Sequence, residues 1–385
     1  MLVQPVTDLC LRVIGKSFKE LPMRPTCPKL RACVALIQAL GTRCFKALRI
    51  VLWVLCAVFM PYALAQNQNN SPSIEDSVAM IKQVQQALVL VTTRSIEGAP
   101  SERTLGRSRQ GTGVVIGPDN LILTIGYLVL EAEHIEVRTL DQRQLPARLV
   151  GYDQATGFAL IRSLIPIQPL PSVLLGSTQT LTRGETMWVA AGRDHRSIAA
   201  AELIDVRSFT GYWEYHLDRA LYTSPPFAMH SGAGLFNKHG ELMGIGSLVM
   251  NDVMPPQHPE SLPGNMFVPA ELLTPILNEL LTTGTSQTSR RPWLGLNAQD
   301  RNGRIVVTRV SPNSPAFHGG LRPGHLLMAL NGQAIESLSG FYKQVWALPL
   351  SAKQLQLTVL ENSNPKVLNI AVQDRNASIA KPAGI

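Results

Sequence analysis

The chain has 385 residues, 45 % of them hydrophobic and 16 % charged, which excludes a disordered polypeptide and leaves room for two or more domains with their own cores. Its formal net charge is +8, but residues 1–65 hold nine basic side chains against Asp8 and Glu20, so +7 of that excess sits there and the body is close to neutral. No Lys/Arg stripe with interleaved aromatics remains in the body, which argues against nucleic acid as a partner.

All five cysteines, Cys10, Cys27, Cys33, Cys44 and Cys56, also lie in the first 65 residues, so the body has no disulfide framework and no cysteine metal site. An apolar run at 50–60 follows Arg43, Lys46 and Arg49 and precedes an A-x-A site ending at Ala65. That order is the order of a secretory signal peptide, with cleavage expected after Ala65. The run is shorter than the roughly 20 residues needed to cross a bilayer. An uncleaved anchor in the inner membrane is the alternative, and the long stretch ahead of the apolar run leaves the true start open. Residues 66–72 read as a polar spacer.

From 73 to 84 the spacing of Ile74, Val78, Ile81 and Val84 predicts an amphipathic helix with Ser73 as its N-cap. Short β-branched runs follow at 87–92, 112–116, 121–124, 135–139, 147–152 and 158–162, and continue to 249. Many short strands with Gly, Pro and Asp between them predict an all-β barrel or sandwich, and Gly117, Pro118, Asp119 and Asn120 form a hairpin turn. The period becomes helical again over 269–281, stopped by Gly284, and 285–291 reads as a solvated linker. A smaller α+β module starts at Trp293, with strands at 305–310 and 355–360 around a helix at 338–346.

Several segments then resemble, in order and spacing, the HtrA (Deg) family. Residues 110–116 (Gln-Gly-Thr-Gly and three apolar residues) are similar to the family's Q-G-S-G strand, and 121–124 to its Y-I-L-T strand. Residues 229–235 are similar to its G-N-S-G-G-P-L motif. Ser311, Pro312, Asn313, Ser314, Pro315 and Ala316, with Gly320 to Gly324 and Asn331-Gly332, resemble its PDZ signature. The resemblance spans roughly 74–375. It implies a mostly β fold: a trypsin-like double β-barrel over 73–284, a linker at 285–292, a PDZ domain over 293–375 and a tail at 376–385.

The family's chemistry needs a serine nucleophile, a histidine base, an aspartate that orients the base, and an oxyanion hole of two backbone N–H groups. The resemblance assigns the serine to Ser231. It places Tyr127 where the histidine belongs and Gly157 where the aspartate belongs. A phenol titrating near 10 cannot take the serine proton at neutral pH, since its pKa is about 10 against about 6.5 for imidazole. Met229 stands where a glycine supplies one N–H of the hole, the other coming from Ser231, in a conformation that a Cβ disfavours. Losing triad members costs about four to six powers of ten in rate and the losses do not add, so an inactive peptidase domain is expected. Tyr127 and Phe158 are read as filling the vacated cleft.

His230 adjoins Ser231, but neighbouring side chains in a loop diverge; His134, seven residues from Tyr127, reads as part of the following strand or turn and not as a substitute base, and His195, His216, His239 and His258 read as surface residues. Leu294, Gly295 and Leu296 resemble the loop whose consecutive N–H groups capture a chain terminus. His325 replaces the family's usual aspartate, in a turn where little consequence is expected. The favoured reading is an exported, periplasmic, non-catalytic homologue that binds unfolded proteins or C-terminal peptides through its PDZ domain. The resemblance also implies a trimer-based homo-oligomer or a mixed oligomer with an active relative. No metal and no organic cofactor is expected. Two other readings stay open: a working endopeptidase that uses Ser231 with a non-standard base, and a membrane-tethered interaction protein whose PDZ groove is closed.

Overall fold

The computed structural model describes residues 74–117, 119–167, 173–192 and 198–380, with the side chains of 74–77 excepted; the leader, the spacer, Ser73 and His195 lie outside the described residues. Helix α1 (Ile74–Gln86) opens the described chain and runs into β1 (Leu88–Ser95). A short helix α2 (Glu102–Leu105) follows. Then come β2 (Ser108–Val115), β3 (Leu121–Ile125), β4 (Ala132–Arg138), β5 (Gln144–Asp153) and β6 (Phe158–Ser163). They close a barrel in the order β1-β2-β3-β6-β5-β4, because β1 pairs with both β2 and β4.

The second barrel is built from β7 (Thr186–Ala190), β8 (Ile198–Gly211), β9 (Tyr215–Ser224), β10 (Gly234–Phe236), β11 (Leu242–Met250) and β12 (Gly264–Pro269). It closes in the order β10-β11-β12-β9-β8-β7. Strands such as β3, whose five residues are all buried, pack the barrel core from apolar runs rather than from strict alternation. The sequence expectation of a double barrel is therefore met. The helix expected over 269–281 is instead broken into a 3-10 turn at Ala270–Leu273 and α3 (Leu277–Thr283). Pro275 explains the break, since it has no N–H to donate to the carbonyl a turn earlier. Gly284 ends α3 in the left-handed region, as expected.

The segment 285–291 is not the solvated linker its composition suggests. Ser286 and Ser289 are fully buried, and both hydroxyls donate to Asp153, itself buried at the end of β5. Ser289 Oγ also accepts from the backbone of Gln154 at 2.7 Å and Ala155 at 3.2 Å. A buried carboxylate needs such donors, and here they come from the polar residues that read as loop-forming.

Beyond the connection lie β13 (Pro292–Trp293), β14 (Leu296–Arg301), β15 (Arg304–Val310), α4 (Pro315–His318), β16 (Leu326–Leu330), β17 (Gln333–Ala334), α5 (Leu338–Trp346), β18 (Gln354–Glu361), β19 (Asn364–Ala371) and β20 (Gln373–Asp374). The main sheet runs β14-β15-β16-β18-β19, so β14 is an edge strand. The helix bounds expected from sequence at 338–346 are those observed for α5. This sheet and α5 have their own core around Phe341, Tyr342 and Val345.

Candidate functional site

The serine loop is held from below by the first barrel. Thr112 N donates to Ser231 O at 2.8 Å, and Thr112 O accepts from Thr124 Oγ1 at 2.6 Å. Gly232 is left-handed (φ +74°), and a Cβ there falls 2.1 Å from Thr112 O, so only glycine fits. Ser231 is thus presented at the junction of the two barrels, partly exposed.

Tyr127 sits in the 3-10 turn Gly126–Leu128 that follows β3. The turn approaches the neighbouring loop closely: Gly126 N donates to Gly157 O at 2.7 Å, and a Cβ on Gly126 meets the Tyr152 ring at 2.1 Å. The phenol of Tyr127 donates to Ser247 O on β11 at 3.0 Å, with the Ser231 side chain near it. Burial pushes this phenol up to about 12, with the Ser231 contact acting in the opposite sense. At neutral pH it is a neutral hydroxyl about five pH units from ionising, so it is no acceptor for a serine proton.

Gly157 lies in the β5–β6 turn with φ +80°, a conformation that an aspartate would enter only with strain. The turn is set by Asp153, whose carboxylate accepts from Thr156 N at 2.7 Å and Thr156 Oγ1 at 2.6 Å. From the second barrel, Tyr215 reaches over it and donates to Thr156 O at 2.5 Å, its hydroxyl 3.3 Å from where a Cβ on Gly157 stands. Burial keeps Tyr215 protonated well above the usual phenol range. The residues filling the junction are therefore Tyr127, Tyr152 and Tyr215. Phe158, read from sequence with Tyr127 as filling the cleft, is fully buried at the start of β6.

Met229 packs on the core of the second barrel and does not adopt a left-handed conformation; the left-handed residue of this loop is Gly232. The described histidines are engaged elsewhere or stand on the surface. His230 turns its Nδ1 to Ala228 O at 3.2 Å, and burial lowers its pKa, so its imidazole is neutral at neutral pH. His216 bonds Thr210 and Asp218, His258 bonds Glu260 O, and His325 is buried against Glu361 at 2.9 Å. His134, His239 and His318 are exposed.

The second site lies at the start of β14. Gly295 is left-handed (φ +80°) and its Cβ position is blocked by Ser314 at 2.2 Å. That geometry turns three consecutive N–H groups to one side, while Leu294 and Leu296 bury their side chains in the core. The amides of Leu294, Gly295 and Leu296 donate to one carboxylate, that of Glu214, at 2.9, 2.8 and 3.1 Å. Sequence reasoning found this loop but missed its occupant, as well as Tyr152, Tyr215 and Asp153. Glu214 sits in a Tyr-Trp-Glu turn between two strand runs, and nothing in that turn marks a ligand. Among the described residues no group of three or more His, Cys, Asp or Glu side chains could hold a metal ion, and no helix is long and apolar enough to cross a membrane.

Residues 111–245 match the family model of the trypsin-like peptidase domain, and residues 292–372 match that of the PDZ domain. Over 317 residues the chain is 28 % identical to a probable periplasmic serine endoprotease, DegP-like, of Pseudomonas fluorescens, covering 75 % of this chain and 63 % of the relative. A protein of the same description from Pseudomonas putida is 29 % identical over 283 residues, covering 68 % and 55 %. The chain thus spans less than two thirds of the length of these relatives. A solved serine endoprotease from Yersinia pestis aligns with TM-score 0.47 and 22 % identity, covering 80 % of this chain and 99 % of that one. With a trypsin-like peptidase domain followed by a PDZ domain, and with DegP-like relatives, the chain belongs to the HtrA/Deg family.

Proposed function

We propose that this is an exported, periplasmic HtrA-type protein whose peptidase domain does not cleave peptide bonds and whose working site is the PDZ loop at Leu294, Gly295 and Leu296. The observation that carries the first half is the Tyr127 phenol at the place of a base, donating to Ser247 O and held protonated by burial. The second half is supported by the three amides, whose geometry accepts a carboxylate. Chain termini of unfolded proteins are the ligand class that this chemistry fits. The location is supported by the leader's signal-like order and by the relatives described as periplasmic.

A second reading is a working serine endopeptidase, favoured by the retention of Ser231 and by the relatives described as endoproteases. Incubating the purified mature protein with casein separates the two. Cleavage at background rate, unchanged by Ser231→Ala, is expected; digestion that Ser231→Ala abolishes overturns the non-catalytic reading. Sequencing the N-terminus of the exported protein is expected to begin at Gln66, and a first residue far from it removes the cleavage assignment.

A further inference from the structure

Glu214 is not a surface residue that strays near the PDZ loop. It is the last residue of the turn at 212–214 joining β8 to β9, left-handed (φ 56°), and only 3 % exposed. Its carboxylate takes the three loop amides, its own N–H donates to Tyr342 Oη on α5 at 3.1 Å, and its carbonyl accepts from Arg375 at 3.4 Å. Two residues earlier, Tyr212 O accepts from Ala298 N at 2.9 Å. Ala298 lies on β14, the edge strand of the PDZ sheet, so that bond is made on the edge where an added strand docks.

Taken together, the turn presents a carboxylate to the loop amides and, two residues before it, a backbone carbonyl to the edge strand. That is the pattern of an extended chain captured by its terminal carboxylate, with a side-chain carboxylate standing in for the α-carboxylate. A buried acid with three amide donors is also what a site for a negatively charged chain end supplies, because each charge-assisted bond offsets part of the burial cost. We propose that the Tyr212-Trp213-Glu214 turn is a built-in ligand of the PDZ groove, which an incoming chain-terminal carboxylate must displace. This rests on the peptide-binding reading above and adds that the groove is closed at rest.

An occupant on the same chain acts at about millimolar effective concentration, so a turn with an intrinsic affinity of about ten micromolar for the open groove weakens any competing peptide on the order of a hundredfold. The test uses the full mature chain and its Glu214→Ala and Glu214→Gln variants, the glutamine keeping shape and acceptor while losing charge. Amide exchange is read at Leu294, Gly295 and Leu296. Peptide affinity is read with a library of short peptides ending in a free carboxylate, and with the same library amidated. Expected are protected amides in the parent and exchange about tenfold or more faster in Glu214→Ala, together with tighter binding of free-carboxylate peptides to both variants and none of the amidated ones. Equal amide protection in parent and variants overturns the inference, as does equal peptide affinity, and the latter leaves the peptide-binding reading standing. If the amides are released in the variants and no free-carboxylate peptide binds any of the three proteins, the peptide-binding reading falls and takes the inference with it.

Discussion

Glu214 and Tyr215 are consecutive, yet the carboxylate of the first lies in the PDZ loop while the hydroxyl of the second bonds Thr156 O beside Gly157, in the first barrel. One peptide bond therefore joins the carboxylate site to the left-handed turn at Gly157. The Trp213 ring stacks on Tyr215 at 5.8 Å with 9° between planes, which fixes the register of this pair. Tyr215→Phe removes the bond to Thr156 O while keeping the ring. The expected cost is about 1 kcal/mol of stability, measured by denaturant unfolding. A variant as stable as the parent would show that the hydroxyl adds nothing beyond its packing.

Placing a histidine at 127 and an aspartate at 157 is not expected to create peptidase chemistry. Tyr127→His gives up the bond to Ser247 O, and Gly157→Asp forces a Cβ into a left-handed position 3.3 Å from the Tyr215 hydroxyl. The double variant should digest casein at less than about a thousandth of the rate of an intact triad enzyme, since base and orienter must be positioned together. Robust, Ser231-dependent cleavage by that double variant would show the junction to be more adaptable than its packing indicates.

Alkaline pH should act on the buried phenols. Tyr127 and Tyr222 are raised by burial from 10.0 to about 12, the latter despite the Arg207 guanidinium 3.7 Å above its ring. The unfolded chain ionises its tyrosines near 10, so between about pH 10 and 12 it binds fewer protons than the native state. The contribution of these groups is complete below 10 and is lost as pH rises through 12. Following phenolate absorbance should show these two, together with Tyr152, Tyr215 and Tyr342, lagging in the native protein; all of them titrating together near pH 10 would contradict it.

Asp153 carries the connection between the second barrel and the PDZ module. Asp153→Ala leaves Thr156 N, Thr156 Oγ1 and the hydroxyls of Ser286 and Ser289 without their acceptor in a buried site. A loss on the order of 3 kcal/mol is expected, with faster proteolytic nicking at 285–291. An unchanged unfolding midpoint and nicking pattern would refute this role.

The barrels were legible because their strands are local runs bounded by turn residues, and α5 because its apolar period matches one helix face. The break at Pro275 was readable in principle, since proline is a local signal that a period-based reading overrides. The buried connection was not, because Ser286 and Ser289 look like loop residues until a carboxylate more than a hundred residues earlier reaches them. At the serine site, motif positions singled out Tyr127, Gly157, Met229 and Ser231 as candidates. Nothing local pointed to Tyr215 or Glu214, whose roles depend on a hairpin crossing between domains.

The occupant of the carboxylate loop and the loop itself lie on one polypeptide, so the exchange between shut and open grooves is first order. Diluting or concentrating the protein leaves that balance untouched, whereas an outside chain end competes in proportion to its own abundance. The threshold at which the groove answers to an outside chain end is then set by how firmly a turn of three residues holds its shape.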